Sequence, residues 1–166
     1  MILHSFRSVA LTGLAFCVFM MAVALGLEHI GGLHPCPLCI FQRVAVIAAG
    51  IVFAIAAIHS PAGRVGKVIY GLLALVAVGT GAFIAGRHVW LQTLPADEVP
   101  SCGPGLDYMM DILPMQDVVA MVLTGSGECA EIDFVLLGLS LPAWTLIGFA
   151  ILAIAPLRML FFKSRR

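Results

Sequence analysis

Four long stretches of this sequence contain no Asp, Glu, Lys or Arg, and they restrict the chain to the membrane proteins. They cover residues 9–27, 44–58, 68–86 and 134–157. A helix needs about 20 mostly apolar residues to cross the roughly 30 Å hydrocarbon layer. The second stretch reaches that length if it starts at residue 38, because Arg43 near the helix end can extend to the headgroups. The sequence therefore predicts four spans, over about 9–27, 38–58, 68–86 and 134–157.

The composition supports this class and excludes others. The chain has 166 residues, of which 61% are hydrophobic and 11% are charged. A soluble domain has roughly a quarter charged residues, and disordered chains and nucleic-acid binders also depend on charge. The first stretch resembles a signal peptide, with Arg7 before it, but its length favours a retained helix. We expect a single all-α domain over residues 1–166, an up-and-down four-helix bundle that contacts lipid and binds no nucleic acid.

The charges predict how the bundle is oriented. The N-terminus, the loop between the second and third stretches, and the C-terminus hold seven basic residues and no acidic one: Arg7, Arg64, Lys67, Arg158, Lys163, Arg165 and Arg166. All nine acidic residues lie in the other two segments, with Arg43 and Arg87. Because cytoplasmic loops are rich in Lys and Arg, both termini are predicted to be cytoplasmic. The loops over about 28–37 and 87–133 then face the exterior or the periplasm, and we expect a short surface helix in the longer one.

Cys36-Pro-Leu-Cys39 stands where the second helix begins. Proline favours the first helical position, which places Cys36 at the N-cap and Cys39 in the first turn. The positive end of the helix dipole stabilises a thiolate there. Arg43 follows Cys39 by one turn on the same face. This arrangement favours a redox pair that donates electrons to a molecule in the bilayer; the alternative is a structural disulfide with Arg43 as an interfacial anchor.

His88 follows the third stretch. The second and third helices form a hairpin, so His88 and Arg43 are expected at similar depth on the same side. A cation and an imidazole can hydrogen-bond the carbonyl oxygens of a quinone and stabilise negative charge during its reduction. The alternative is an ordinary interfacial histidine.

Cys102 and Cys129 bracket the long external loop and lie among turn residues. Such segments are exposed, which suits a disulfide that another protein must reach, although a static disulfide is equally consistent. Between them, apolar residues at helical spacing after Pro114 predict a short helix on the membrane surface. The fifth cysteine, Cys17, falls within the first span, where a buried thiol usually behaves as a small apolar group.

Two other functions use the same cysteines. A zinc site with four thiolates is disfavoured, because zinc sites more often combine two close pairs and Cys102 lies far from Cys129; we therefore expect no metal. A four-span scaffold with inert disulfides gives no reason for Arg43 one turn below Cys39.

Several segments together resemble the DsbB family of inner-membrane thiol oxidoreductases. They are Cys36-Pro-Leu-Cys-Ile-Phe-Gln-Arg43, Arg87-His-Val-Trp-Leu-Gln92, Cys102, Ser126-Gly-Glu-Cys-Ala-Glu131, Leu137-Gly-Leu139 and Pro142-Ala-Trp144. The resemblance covers nearly the whole chain. It implies a protein of the bacterial inner membrane that reoxidises a DsbA-like periplasmic thioredoxin-fold protein with ubiquinone or menaquinone.

The resemblance also implies roles for individual residues. The partner attacks a Cys102–Cys129 disulfide at Cys102, and the released Cys129 attacks Cys36. Cys39 then passes electrons to the quinone, with Arg43, and less surely His88, stabilising the developing anion.

Overall fold

The computed structural model describes residues 5–95, 98, 106–125, 127–130, 132 and 134–162. Its elements, in chain order, are α1 (Phe6–His29), α2 (Pro37–His59), α3 (Arg64–Leu91), α4 (Leu106–Ile112), α5 (Met115–Thr124), α6 (Gly127–Ala130), β1 (Val135–Leu136), β2 (Leu139–Ser140), α7 (Leu141–Leu152) and α8 (Ile154–Leu160). Four helical segments are long and apolar enough to cross a membrane: α1, α2, α3 and the continuous α7–α8 segment. The predicted four-helix transmembrane bundle is confirmed.

Local chemistry explains where the helices begin. Ser5 caps α1, because its hydroxyl accepts a hydrogen bond from the Ser8 amide at 3.1 Å and the Ser8 hydroxyl accepts one from the Ser5 amide. Pro37 stands at the first position of α2, and Cys36 is its N-cap in an extended conformation. The predicted places of Cys36 and Cys39 on this helix are therefore found in the structure.

The largest differences from the predicted spans are at the start of the fourth span and at the end of α3. Residues 134–140 are not part of the fourth span, because β1 and β2 form a small antiparallel hairpin there. Its turn uses positive φ angles at Leu137 (53°) and Gly138 (81°), and no charge separates this apolar hairpin from the helix that follows. The predicted long loop starts too early, since α3 continues through Arg87 and His88 to Leu91. A charged residue near the membrane surface does not end a helix.

Large aromatic side chains pack against glycines to hold the bundle together. Helix α2 lies between α1 and α3, and α7–α8 closes the bundle by packing against α3 and α1. Phe53 and Phe149 are fully buried. A Cβ atom added at Gly13 would lie 2.9 Å from the Phe53 ring, and one added at Gly81 would overlap the Phe149 ring. Glycine at these positions therefore permits close helix packing.

A second apolar cluster covers the end of the bundle where α2 begins and α3 ends. Its buried members are Leu38, Ile84, Leu91, Met109, Val118, Val122 and Cys129. The predicted short helix is present as α5, but Val118 and Val122 pack into this cluster while Met115 and Met121 are exposed. Part of the apolar face that we assigned to a membrane surface is therefore used to hold α5 on the bundle.

Candidate redox site

The thiols of Cys36 and Cys39 lie next to each other at the start of α2. Their Sγ atoms are 3.1 Å apart, and both side chains are partly buried. A disulfide bond is about 2.05 Å long. The two sulfurs therefore need to approach by only about 1 Å to form one, and a single helical turn holds both of them in place.

His88, in the last turn of α3, faces this pair. Its Nε2 atom is 3.8 Å from Cys36 Sγ, and its Nδ1 atom is 3.9 Å from Cys39 Sγ. The Gln42 side-chain amide lies 3.3 Å from His88 Nδ1, and both side chains are 3% exposed. Buried polar groups need hydrogen-bond partners, so Gln42 satisfies the imidazole and fixes the orientation of its ring. The ring thus contacts both sulfurs.

Cys129 approaches the same point from α6. It is buried, and its sulfur, Cys36 Sγ and a His88 ring nitrogen all lie within 4.8 Å of one another. Three elements that are distant in sequence therefore meet at the end of the bundle where α2 begins and α3 ends. Cys102 falls outside the described residues. The fifth cysteine, Cys17, is buried in the bundle core, where its Cβ lies beside Gly50.

Arg43 is held by groups from α1. Its guanidinium forms an ion pair with Glu28 and donates a longer hydrogen bond, of 3.4 Å, to the Ala24 carbonyl oxygen. The side chains of Arg43 and Glu28 are each about one quarter exposed, at 22% and 26%. A positive charge at this depth is therefore offset by a carboxylate of the neighbouring helix.

A cavity of about 580 Å³ extends from these groups along apolar side chains of the bundle. Cys39, Arg43 and His88 line one part of it, together with Gln42 and Glu28. Its apolar walls come largely from α1 and α7: Phe16, Phe19, Met20, Met21, Val23, Ile147 and Ile151. The site therefore combines a polar, sulfur-bearing end with a long apolar cleft, and it brings the predicted residues Cys39, Arg43 and His88 to one space.

Arg87, next to His88 in the chain, contacts a different part of the molecule. The Arg87 side chain donates hydrogen bonds to the carbonyl oxygens of Leu123 (3.2 Å) and Thr124 (2.9 Å), at the end of α5. Its guanidinium also lies over the Trp90 ring, 4.2 Å from the centroid. Arg87 therefore fastens the end of α5 to α3, and the described cavity lining does not include Arg87.

Comparison with known sequences decides the family. The family model for disulfide bond formation protein DsbB matches residues 6–159. The chain belongs to the DsbB family. A relative from Chromohalobacter salexigens, named Disulfide bond formation protein B, is 58% identical over 156 residues, which cover 94% of this chain and 91% of the relative. Proteins with the same name from Acinetobacter baumannii (55% identity; 85% and 82% covered) and Nitrosococcus oceani (48%; 92% and 90%) are also similar.

Membership of the DsbB family makes this chain a multi-pass membrane protein and a thiol oxidoreductase. Two polar residues of the site were missed by sequence reasoning. Gln42 is three residues after Cys39 and hence on the same helical face, a spacing that marks it as a neighbour of the sulfur pair. Glu28 is the first acidic residue after the first apolar stretch, and its pairing with Arg43 depends on how α1 packs against α2.

Proposed function

We propose that this DsbB-family protein oxidises a DsbA-like periplasmic thioredoxin-fold protein and delivers the electrons to a membrane quinone, ubiquinone or menaquinone. One observation carries the proposal. The cavity that contains Cys39 has hydrogen-bond donors at the sulfur end and apolar walls along α1 and α7. A lipid-soluble quinone has the matching form, with a polar ring and an apolar tail.

The residues around Cys39 suit such a molecule. A bound quinone would supply an acceptor for the two electrons and two protons of the thiol pair. Arg43 and His88 can donate hydrogen bonds to its ring carbonyl oxygens, and the positive charge of Arg43 stabilises negative charge that develops there. Gln42 keeps the His88 ring in place, and Glu28 does the same for Arg43. The apolar walls exclude water from the reacting groups.

The proposed electron path begins with a thiolate of the partner, which bonds to Cys102 and releases Cys129 as a thiolate. Cys129 bonds to Cys36, and Cys39 leaves as a thiolate in the cavity. The partner's second thiol closes its own disulfide and releases Cys102. Cys102 then attacks Cys129 in the Cys36–Cys129 disulfide and releases Cys36 as a thiolate. Cys36 and Cys39 can form their disulfide again by giving two electrons to a bound quinone. The proximity of Cys129 and Cys36, within 4.8 Å, supports the exchange between the two loops.

The direction of transfer requires a strong acceptor. A DsbA couple is itself oxidising, at about −120 mV. For two electrons, about 30 mV corresponds to 1.4 kcal/mol, so a quinone pool at more positive potential drives the reaction. We place the protein, as a single domain over residues 1–166, in the bacterial inner membrane with both termini cytoplasmic. The seven basic residues named above lie in the two termini and the loop between α2 and α3, and cytoplasmic segments are rich in Lys and Arg.

The test uses purified protein in detergent with a reduced DsbA-like protein and either ubiquinone or menaquinone, and follows quinone absorbance. We expect turnover with the intact protein and none with Cys39→Ser or Cys102→Ser. Cys17→Ala, in the bundle core, is the matched control and should turn over normally. Normal turnover by Cys39→Ser would contradict the path, and disulfides that do not react with the reduced partner would indicate a scaffold.

A further inference from the structure

Three side chains with metal-binding atoms meet at the external end of the bundle. Cys36 is the N-cap of α2, His88 lies in the last turn of α3, and Cys129 lies on α6. One donor atom from each lies within 4.8 Å of the other two, and both His88 and Cys129 are buried. The three ligands come from three elements whose packing already holds them together, so a bound ion would not need to order a loop.

The donor atoms and their spacing suit a zinc-like cation. In a tetrahedral zinc site the Zn–S distance is about 2.3 Å and the Zn–N distance about 2.0–2.1 Å, which places neighbouring ligand atoms about 3.5–3.8 Å apart. Cys36 Sγ and His88 Nε2 are already 3.8 Å apart. Closing the rest of the triangle requires movements of about 1 Å. Such movements are within the reach of side-chain rotation for Cys36 and Cys129.

Neighbouring groups complete the site. Cys39 Sγ, 3.1 Å from Cys36 Sγ, or a water molecule from the cavity can supply the fourth ligand. The side-chain amide nitrogen of Gln42 lies 3.3 Å from His88 Nδ1. Turning the amide group over would present its oxygen to an Nδ1–H group. A second hydrogen bond of this kind orients metal-binding histidines and leaves Nε2 for the ion.

We propose that the reduced protein binds one zinc-class divalent cation through Cys36, His88 and Cys129, and that the bound ion inhibits the enzyme. Binding replaces the two thiol protons with one metal ion and involves no change of oxidation state. A sulfur in a disulfide is no longer a thiolate ligand, so the oxidised protein lacks the site. A metal ion on Cys129 and Cys36 also occupies the two sulfurs that exchange in the proposed electron path. The inhibition therefore rests on the proposed function, whereas the binding does not.

Binding is measured on the full chain in detergent, reduced and freed of excess reductant, with Cd²⁺ as the probe and its ultraviolet thiolate-to-metal absorption as the signal. We expect one equivalent to bind the reduced protein and none to bind the oxidised protein. Cys129→Ser and His88→Asn should each weaken binding at least tenfold, and Zn²⁺ should displace Cd²⁺. Cys17→Ala and His59→Asn, which change the same residue types away from the site, should bind like the unmodified protein.

Two results would contradict the proposed metal site. One is equal binding by the oxidised protein. The other is unchanged affinity in both Cys129→Ser and His88→Asn together with loss of binding in Cys39→Ser, which would assign the ion to the Cys36–Cys39 dithiol alone. Helix content and elution volume of each variant show whether it is folded. The binding measurement contains neither quinone nor protein partner. It therefore tests the metal site even if the proposed function is wrong. If the enzyme turns over, Zn²⁺-loaded reduced protein should be inactive until a chelator is added.

Discussion

At the residue scale, Arg43 is positioned by α1 and not by its own helix alone. The guanidinium has five N–H donors. The Nη1 group of Arg43 pairs with the Glu28 carboxylate, and its Nη2 group donates to the Ala24 carbonyl oxygen. The Arg43 side chain also lines the cavity. Glu28 is therefore a positioning residue for the cation that we expect to contact the quinone.

Arg43→Ala should raise the apparent KM for quinone about 10- to 100-fold, because a hydrogen bond from a charged group contributes roughly 1.5–3 kcal/mol and each 1.4 kcal/mol is tenfold. Glu28→Ala should raise it less, by a few-fold, with little change in kcat. Glu28→Gln, whose amide oxygen can still accept from Arg43, is the matched control and should remain close to the unmodified protein. Steady-state kinetics with varied quinone measure all three, and an unchanged KM in Arg43→Ala would reduce Arg43 to an interfacial anchor.

The sequence predicts the site where its parts are close in the chain. Cys36, Cys39 and Arg43 follow from proline at the helix start and from one helical turn of spacing. The contacts between helices cannot be predicted in this way. The contacts of Arg43 with Glu28 and of Gln42 with His88 depend on which helix faces pack together. The approach of Cys129 to Cys36 depends in addition on how α4, α5 and α6 fold back over the bundle.

At the scale of secondary-structure elements, Arg87 connects α3 to the end of α5. The last carbonyl groups of a helix lack partners within the helix, and Arg87 donates to two of them, on Leu123 and Thr124. Gly125 follows with a φ of +89° and packs against Leu91, so the chain turns toward α6 and Cys129. The position of Cys129 therefore depends on a contact far from the sulfur itself.

Arg87→Met should loosen α5 without changing the quinone cavity. Loss of two hydrogen bonds from a charged donor should speed amide hydrogen exchange in residues 115–124 roughly tenfold. Turnover with the protein partner should fall, while the KM for quinone should stay the same because the cavity lining that the structure describes does not include Arg87. Arg87→Lys keeps the charge but cannot donate to both carbonyl groups with the guanidinium geometry. Its amide hydrogen exchange rate in α5 should therefore lie between those of the unmodified protein and Arg87→Met. Unchanged exchange in Arg87→Met would show that apolar packing alone holds α5.

Helix α3 and helix α7 meet through Gly81 and Phe149, which leaves no room for a side chain. Gly81→Leu should therefore destabilise the bundle by about 1–3 kcal/mol, the usual cost of adding atoms to a packed core. Gly79→Leu is the control on the same helix, because nothing lies within 4 Å of a Cβ atom at Gly79. Thermal unfolding in detergent should show a lower Tm for Gly81→Leu only. Equal Tm values for the two variants would mean that α7 can move away from α3 without cost.

At the scale of the whole molecule, the charge-free stretches predict the bundle because a lipid-facing helix cannot carry ions at its middle. The same criterion fails at residues 134–140. The hairpin there is as apolar as the helix that follows it, and its turn is marked by backbone angles at Leu137 and Gly138 and not by charge. The criterion fails again at the end of α3, where the helix continues through Arg87 and the Arg87 side chain reaches the carbonyl groups at the end of α5.

The remaining prediction at this scale concerns orientation. The cysteines of the site and α4–α6 lie at the end of the bundle where α2 begins and α3 ends, and the basic residues Arg64 and Lys67 follow the opposite end of α2. Because Lys and Arg are retained in the cytoplasm, alkaline phosphatase fused after residue 166 should be inactive and green fluorescent protein at the same position should be fluorescent. A phosphatase inserted at Glu98, in the external segment, should be active and serves as the control. The reverse pattern would place the cysteines in the reducing cytoplasm, where disulfides are rarely maintained, and would contradict both the orientation and the proposed periplasmic partner.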